Sequence, residues 1–269
     1  MDILDKIVEA KRADVQKSKT VKPLKALEKS EYFSRQTVSL ERSITDGNKY
    51  GIIAEFKRQS PSKGVINRRA GIEITCTGYF NSGASAVSVL TNSEFFGGSD
   101  SDLTNARKAC SGPLLRKEFI VDEYQVVEAK SIGADAILLI ADILSAPEMK
   151  TLSDLAVSLG MEVLFEIHDR TGIEKLPVNA RIIGINSRNL GNFTINMDIP
   201  GEIIKMLPAD SIKIAESGID KVETLIKLEE TGFNGFLIGE LFMKEDDPAE
   251  ACNRFIKELK HQKNLKMNL

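Results

Sequence analysis

The sequence predicts a single (β/α)8 barrel of the TIM type, an α/β fold with a helical extension before its first strand. Three observations carry this reading. The chain has 269 residues, close to the ~250 typical of one such barrel. Short apolar runs alternate with helical periodicity about eight times, as in repeated β-α units. Four of those runs end in charged or proton-moving residues where they meet a loop: Glu55 and Lys57, Arg116 and Lys117, Glu166 and His168, and Asn186 and Arg188. Polar groups at the carboxyl ends of parallel strands are how such a barrel assembles an active site.

Residues 1–48 precede the first strand. Ile3, Leu4, Ile7 and Val8 make an apolar stripe on a short helix, and Pro23 to Leu27 starts a second. That is too little for a separate core, so the segment is expected to pack on a barrel spanning 49–260. Strands are predicted near 51–56, 86–90, 113–117, 136–140, 162–167, 181–186, 212–216 and 235–239. Each is β-branched or Leu-rich and bounded by turn formers. Helical stripes lie between them, as at Leu152, Leu155, Ala156 and Leu159, or Val222, Leu225, Ile226 and Leu228. Gly83, Gly133, Gly160 and Gly232 follow such stripes, where a left-handed carboxyl cap is wanted. The stretch 261–269 is polar and Lys-rich, and is expected to fray. An open doubly wound sheet stays as the alternative, since closure is not written in a sequence.

A net charge of −3, with basic residues dispersed among acids, gives no electrostatic case for nucleic acid. Cys76, Cys110 and Cys252 are odd in number and lack metal-type spacing, which suits reduced thiols in a cytoplasmic protein. Met1 to Arg12 has no signal-type apolar core, and the greasiest run, Ala136 to Ala141, is too short to cross a bilayer. No membrane association is expected.

Side chains alternate across a strand. Ile53, Glu55 and Lys57 therefore share one face, as do Leu115, Lys117 and Phe119, Leu164, Glu166 and His168, and Gly184, Asn186 and Arg188. If these faces point to the barrel axis, carboxylates, ammoniums, an amide and a guanidinium meet at one mouth. The plainer alternative is that each charge is a solvated strand end. Four such ends together favour convergence, which would also perturb their pKa values.

Ala215-Glu216-Ser217-Gly218 and Ile238-Gly239-Glu240 follow the seventh and eighth strands, the usual phosphate location in barrels. Small residues there let backbone N–H groups approach an oxyanion. Phe96 is placed to line an aromatic pocket, although Phe95-Phe96-Gly97-Gly98 also reads as loop packing. Two histidines cannot build a His-rich metal site, and His168 reads as structural or peripheral. No nucleotide-binding glycine pattern and no His-Glu-x-x-His or Cys-x-x-Cys spacing occurs, so no dinucleotide, ATP or metal cofactor is indicated.

Seven segments resemble the indole-3-glycerol phosphate synthase family, in the family's order. They are IAEFKRQSPSKG at 53–64, SVLTNSEFFGGS at 88–99, LLRKEFIVDEYQ at 114–125, LFEIHD at 164–169, IGINSRNL at 183–190, AESGI at 215–219 and LIGELFM at 237–243. The resemblance runs from about residue 3 to residue 258. It implies a cofactor-free lyase acting on 1-(2-carboxyphenylamino)-1-deoxyribulose 5-phosphate, in tryptophan biosynthesis, as a monomer. It further implies that Lys117 is the general acid for ring closure and Glu166 the acid–base group for dehydration. Lys57 would hold an anionic oxygen and steer closure, and is a second candidate proton donor. Glu55 and Asn186 would orient hydroxyls and the lysines, while Arg188 and Ser60 would hold the anthranilate part. Ser217, Gly218, Gly239 and Glu240 match the phosphate end, with Glu216 beside it. Asn92 and Glu118 stand where Asp is common in the family. A phosphosugar isomerase, a Schiff-base lyase using Lys57 or Lys117, and a non-catalytic phosphometabolite-binding module remain as rival readings of the same residues.

Overall fold

The computed structural model describes residues 3–189, 194–196 and 199–267. Leu190, which ends one of the seven motifs, lies outside them, as do the first two and last two residues. Eight parallel strands form the barrel: β1 (Ile52–Phe56), β2 (Ala86–Leu90), β3 (Leu114–Lys117), β4 (Ala136–Ile140), β5 (Glu162–Ile167), β6 (Ile182–Asn186), β7 (Ile212–Glu216) and β8 (Gly235–Ile238). Each pairs with its neighbours in sequence, and β1 closes the ring on β8 with Ile53 opposite Leu237. Closure removes the open-sheet alternative.

Three helices precede the barrel, α1 (Ile3–Val21), α2 (Leu24–Leu27) and α3 (Leu40–Ile44). Around it run α4 (Ile72–Asn81), α5 (Ser93–Phe96), α6 (Asp100–Ala109), α7 (Glu123–Ser131), α8 (Ala146–Ser158), α9 (Arg170–Ile173), α10 (Ile199–Ile203), α11 (Val222–Glu230), α12 (Glu240–Met243) and α13 (Pro248–Met267). Local chemistry explains their ends. At α8, the Ser145 side chain and Glu148 form a reciprocal capping box, and a proline occupies the first turn. The helix stops at Gly160, whose φ of 77° is a left-handed conformation that costs glycine little. The stretch from His261, expected to fray, instead continues α13 to Met267. It is held by Lys263 and Lys266 paired with Glu229 and Glu230 of α11 at 2.5 and 2.6 Å.

Strand alternation sorts the core into two shells. Ile53, Leu115, Leu138, Leu164, Ile214 and Leu237 fill the barrel interior, while Ala54, Phe56, Val87, Leu139, Phe165 and Ile183 face the helices. The extension runs from one end of the barrel to the other. Lys11 of α1 reaches Glu118 just past the carboxyl end of β3 at 3.1 Å. Ser43 of α3 donates to the carbonyl of Ser85, just before β2 begins. Leu40 and Ile44 of α3 are buried against the interior cluster. At the amino end, the wholly buried Asp135 accepts hydrogen bonds from Arg35, Arg107 and the backbone N–H groups of Val38 and Leu114. This one carboxylate ties the extension, α6 and β3 to the start of β4.

Candidate active site

One cavity of about 700 Å³ opens at the carboxyl ends of the strands. It is lined by Glu55, Lys57, Ser60, Phe96, Lys117, Glu166, Asn186, Arg188, Glu216, Ser217, Gly218, Gly239 and Glu240. Of the residues singled out from the sequence, all those given a substrate or acid–base role therefore line the same space, while Arg116 and His168, the other two charged strand ends, do not. The inward parity of each strand accounts for it. Lys117 continues the face of Leu115, Glu166 that of Leu164, and Glu216 that of Ile214.

Lys117 is the centre of the charge arrangement. Its Nζ donates to Glu166 Oε2 at 2.6 Å and to Glu216 Oε2 at 3.1 Å. Asn186 Nδ2 donates to the other oxygen of Glu166 at 3.0 Å, so this carboxylate is held from two sides. Lys57 pairs with Glu55 at 2.6 Å. Burial disfavours the charged form of Lys117, but Glu166, Glu216 and Glu55 outweigh it and raise its pKa well above the lysine range. Burial likewise pushes Glu166 up, but Lys117 and His168 hold it down to about 2.

Glu216 behaves in the opposite way. Burial and the neighbouring Glu166 charge drive it up to about 8, against the pull of Lys117. Its Oε1 is buried without a hydrogen-bond partner, lying 2.0 Å from where a side chain on Gly184 would begin. Gly239 serves Glu55 in the same manner, since a Cβ there would sit 2.5 Å from the Glu55 carboxylate. The resemblance places Glu216 beside the phosphate turn. Its carboxylate instead points inward to Lys117, and only its backbone leads into that turn.

The raised Glu216 carboxyl has a consequence for stability. Between its ordinary value of 4.5 and about 8, the folded chain keeps a proton that the unfolded chain has released. Stability drawn from this group therefore falls as pH rises through that window. Glu216→Gln is expected to flatten the decline of unfolding free energy between pH 5 and pH 8, measured by urea titration. An unchanged slope would place the proton elsewhere.

In the turn after β7, Ser217 and Gly218 have φ of 66° and 76°, consecutive left-handed residues at the cavity wall. Ser217 is the one non-glycine residue with positive φ among the described residues. The Glu240 side chain, grouped with the phosphate residues, pairs with Lys63 at 3.4 Å and Arg188 at 3.7 Å. A carboxylate would repel phosphate, so any contribution from this position is through the backbone at the start of α12. Arg188 also approaches Ser62 at 3.3 Å, and the Phe96 and Phe119 rings stand 5.9 Å apart at the apolar side of the cavity.

Several lining residues were not singled out beforehand. Lys63 and Lys244 add cations to the cavity wall, and Phe119 adds a second ring. The alternation that aligned Phe119 with Lys117 was the available signal for the ring; nothing in spacing marked the lysines. Arg116, next to Lys117 but of outward parity, is buried between helices and pairs with Asp100 and Glu128 at 2.7 Å each. It is a packing element. His168 is also not a lining residue; it lies behind Glu166, with Nε2 3.6 Å from Glu166 Oε1.

Among the described residues, no cluster of three or more His, Cys, Asp or Glu could hold a metal. No helix among them is long and apolar enough to cross a membrane.

Comparison with known proteins adds an independent line. The family model described as indole-3-glycerol phosphate synthase matches residues 4–256. A protein of that name from Bacteroides thetaiotaomicron is 42% identical over 261 residues, covering 96% of this chain and 99% of its own length. One from Polaromonas naphthalenivorans is 41% identical over 254 residues, covering 93% and 97%. Solved structures at lower identity share the fold. A chain of the tryptophan synthase complex from Pyrococcus furiosus aligns with a TM-score of 0.56 at 14% identity, covering 79% of this chain and 98% of that one. The crystal structure of KGPDC from Streptococcus mutans aligns with a TM-score of 0.57 at 14% identity, covering 78% and 97%. With a model match over nearly the whole chain and full-length relatives above 40% identity, the chain belongs to the indole-3-glycerol phosphate synthase family.

Proposed function

We infer that the chain converts 1-(2-carboxyphenylamino)-1-deoxyribulose 5-phosphate into indole-3-glycerol phosphate, CO2 and water. The observation that carries this is the buried lysinium of Lys117 bridging Glu166 and Glu216, between an aromatic wall and a phosphate turn. In ring closure, an electron-rich aromatic carbon attacks the ketone, and the developing alkoxide needs a proton. Lys117 supplies it. Loss of CO2 then restores aromaticity, so that step needs no electron sink. Dehydration takes a proton from the adjacent carbon onto Glu166 and returns one to the departing hydroxyl, which leaves as water, so Glu166 ends as it began. A positioned acid or base contributes about 10²–10⁴-fold.

The other residues orient. Glu55 holds Lys57 within the site, and Lys57 steers the anionic oxygen next to the reacting carbon. Arg188, Ser60 and Phe96 take the anthranilate end, and Ser217, Gly218 and Gly239 the phosphate. Anchoring both ends converts binding into correct approach of the reacting atoms. The Schiff-base rival requires a neutral amine nucleophile. Lys117, kept protonated by surrounding carboxylates, is poorly suited to that and well suited to giving a proton. We place the chain in the cytoplasm as a monomer; its three free, buried thiols suit a reducing compartment.

The test is fluorescence of the indole product on adding substrate in the presence of a chelator. Absence of product would overturn the assignment. Ser217→Asp is expected to raise KM at least about tenfold, because Asp tolerates the left-handed backbone but brings a charge that repels the phosphate. Unaltered KM would remove the phosphate from this turn.

A further inference from the structure

We propose that His168, gripped by Asp142, is a positioning residue that keeps Glu166 ionised as a base while Lys117 gives up its proton. The proposal deepens the reaction inferred above and rests on that reading.

The geometry is a short buried series. His168 Nδ1 lies 3.2 Å from Asp142 Oδ2, and Nε2 lies 3.6 Å from Glu166 Oε1. The side chains of Asp142, His168 and Glu166 are 32%, 9% and 2% exposed, so the series runs inward from the surface. Neither Asp142 nor His168 lines the substrate cavity. The imidazole therefore stands on the far side of Glu166 from the reacting atoms, and both its nitrogens are buried without a hydrogen-bond partner, so the two carboxylates act on it through charge. A buried ring flanked by two carboxylates at this range is poorly explained as apolar packing.

The charged groups around it agree in sign. Asp142 faces it from the loop after β4 and Glu166 from its own strand, with the Glu216 carboxyl, which keeps its proton near neutral pH, beyond them on β7. Asp169 is next in the chain, capping α9. The cations nearby are turned elsewhere: Lys117 of β3 lies across Glu166, and Lys175 donates to the carbonyl of Ala141. Burial opposes the imidazolium, but Asp142 and Glu166 raise its pKa above the ordinary histidine value.

The need for a second cation arises within the reaction. At rest Lys117 is the main charge holding Glu166 ionised. When Lys117 protonates the alkoxide, that ammonium becomes neutral. The imidazolium is then the cation in contact with Glu166, so the carboxylate stays able to take a proton. No proton leaves His168 in this scheme; its charge is what acts.

His168→Gln removes the charge and keeps a polar side chain of moderate size. It is expected to lower kcat about tenfold on the acid limb of the pH profile, with KM within about twofold. The acid limb of the kcat profile should move up by about one pH unit, because Glu166 protonates more readily. Asp142→Asn, at a partly exposed position, should move the limb the same way by less. A folded His168→Gln variant with an unmoved limb would overturn the proposal, as would a loss confined to KM.

A second readout does not depend on turnover. The chain has two histidines, so His261→Gln leaves a single imidazole resonance to follow by NMR. Its titration midpoint should lie above the ordinary value and fall in Glu166→Gln and in Asp142→Asn. A midpoint insensitive to both changes would also overturn the proposal. If the midpoint responds but the unaltered chain forms no indole product, it is the reading of the reaction that fails.

Discussion

Lys117→Ala is expected to lower turnover at least about a hundredfold, with substrate affinity changed only a few-fold. The side chain is buried, touches two carboxylates and lies at the centre of the cavity. The ammonium therefore has little part in recruiting substrate from solution. Its proton goes to an oxygen that carries charge only as the ring closes, so the loss falls on kcat. Lys117→Met, which keeps the stem, should be nearly as slow, separating the proton from the packing. Single-turnover kinetics with measured substrate binding is the check. A variant retaining a tenth or more of the turnover would pass the acid's role to Lys57, whose ammonium lies in the same cavity.

Asp135→Ala should produce the largest loss of stability, about 3–5 kcal/mol. The carboxylate is wholly buried and accepts from Arg35 at 2.5 Å, and from Arg107 and two backbone N–H groups at 2.8 Å each. Deleting it leaves Arg107, itself buried, without its carboxylate. It also strips the acceptor from Leu114 at the first residue of β3 and from Val38 in the extension. The midpoint of thermal unfolding should fall on the order of 10 °C. Because Asp135 lies at the amino end of β4, kcat of the folded fraction should hardly change. A loss under about 1 kcal/mol in urea titration would mean that water replaces the missing acceptor.

The two variants divide the barrel by its ends, and the sequence was legible along the same division. Strand positions could be read closely because each apolar run carries its own alternation, which a parallel barrel converts directly into inward and outward faces. Glu55, Lys117 and Glu166 followed from that alone. The same rule applied to Ile212, Ile214 and Glu216 points the last of these inward, beside Lys117. The resemblance instead grouped it with the phosphate turn, to which its backbone connects.

What lies between elements was less legible. Lys63 and Lys244 reach the cavity from loops, where no periodicity fixes direction. His168 shares a strand face with Glu166, yet its meaning depends on Asp142, which comes from another strand's loop. Arg116 looked like one more charged strand end, and its parity turned it into the helix layer to meet Asp100 and Glu128. The helix to Met267 was obscured because its outer face is polar throughout. Its hold on α11 comes from ion pairs that no hydrophobic pattern announces.

The interior tier of Leu115, Leu164 and Ile214 sits directly beneath Lys117, Glu166 and Glu216 on the same three strands. Oil and ions are thus neighbours two positions apart at Lys117 and Glu166, and the Glu216 carboxyl beside them meets the same dry floor by keeping its proton. Ionised groups confined in this way weaken the folded state that carries them. Selection for heat resistance and selection for speed would therefore pull these three positions in opposite directions.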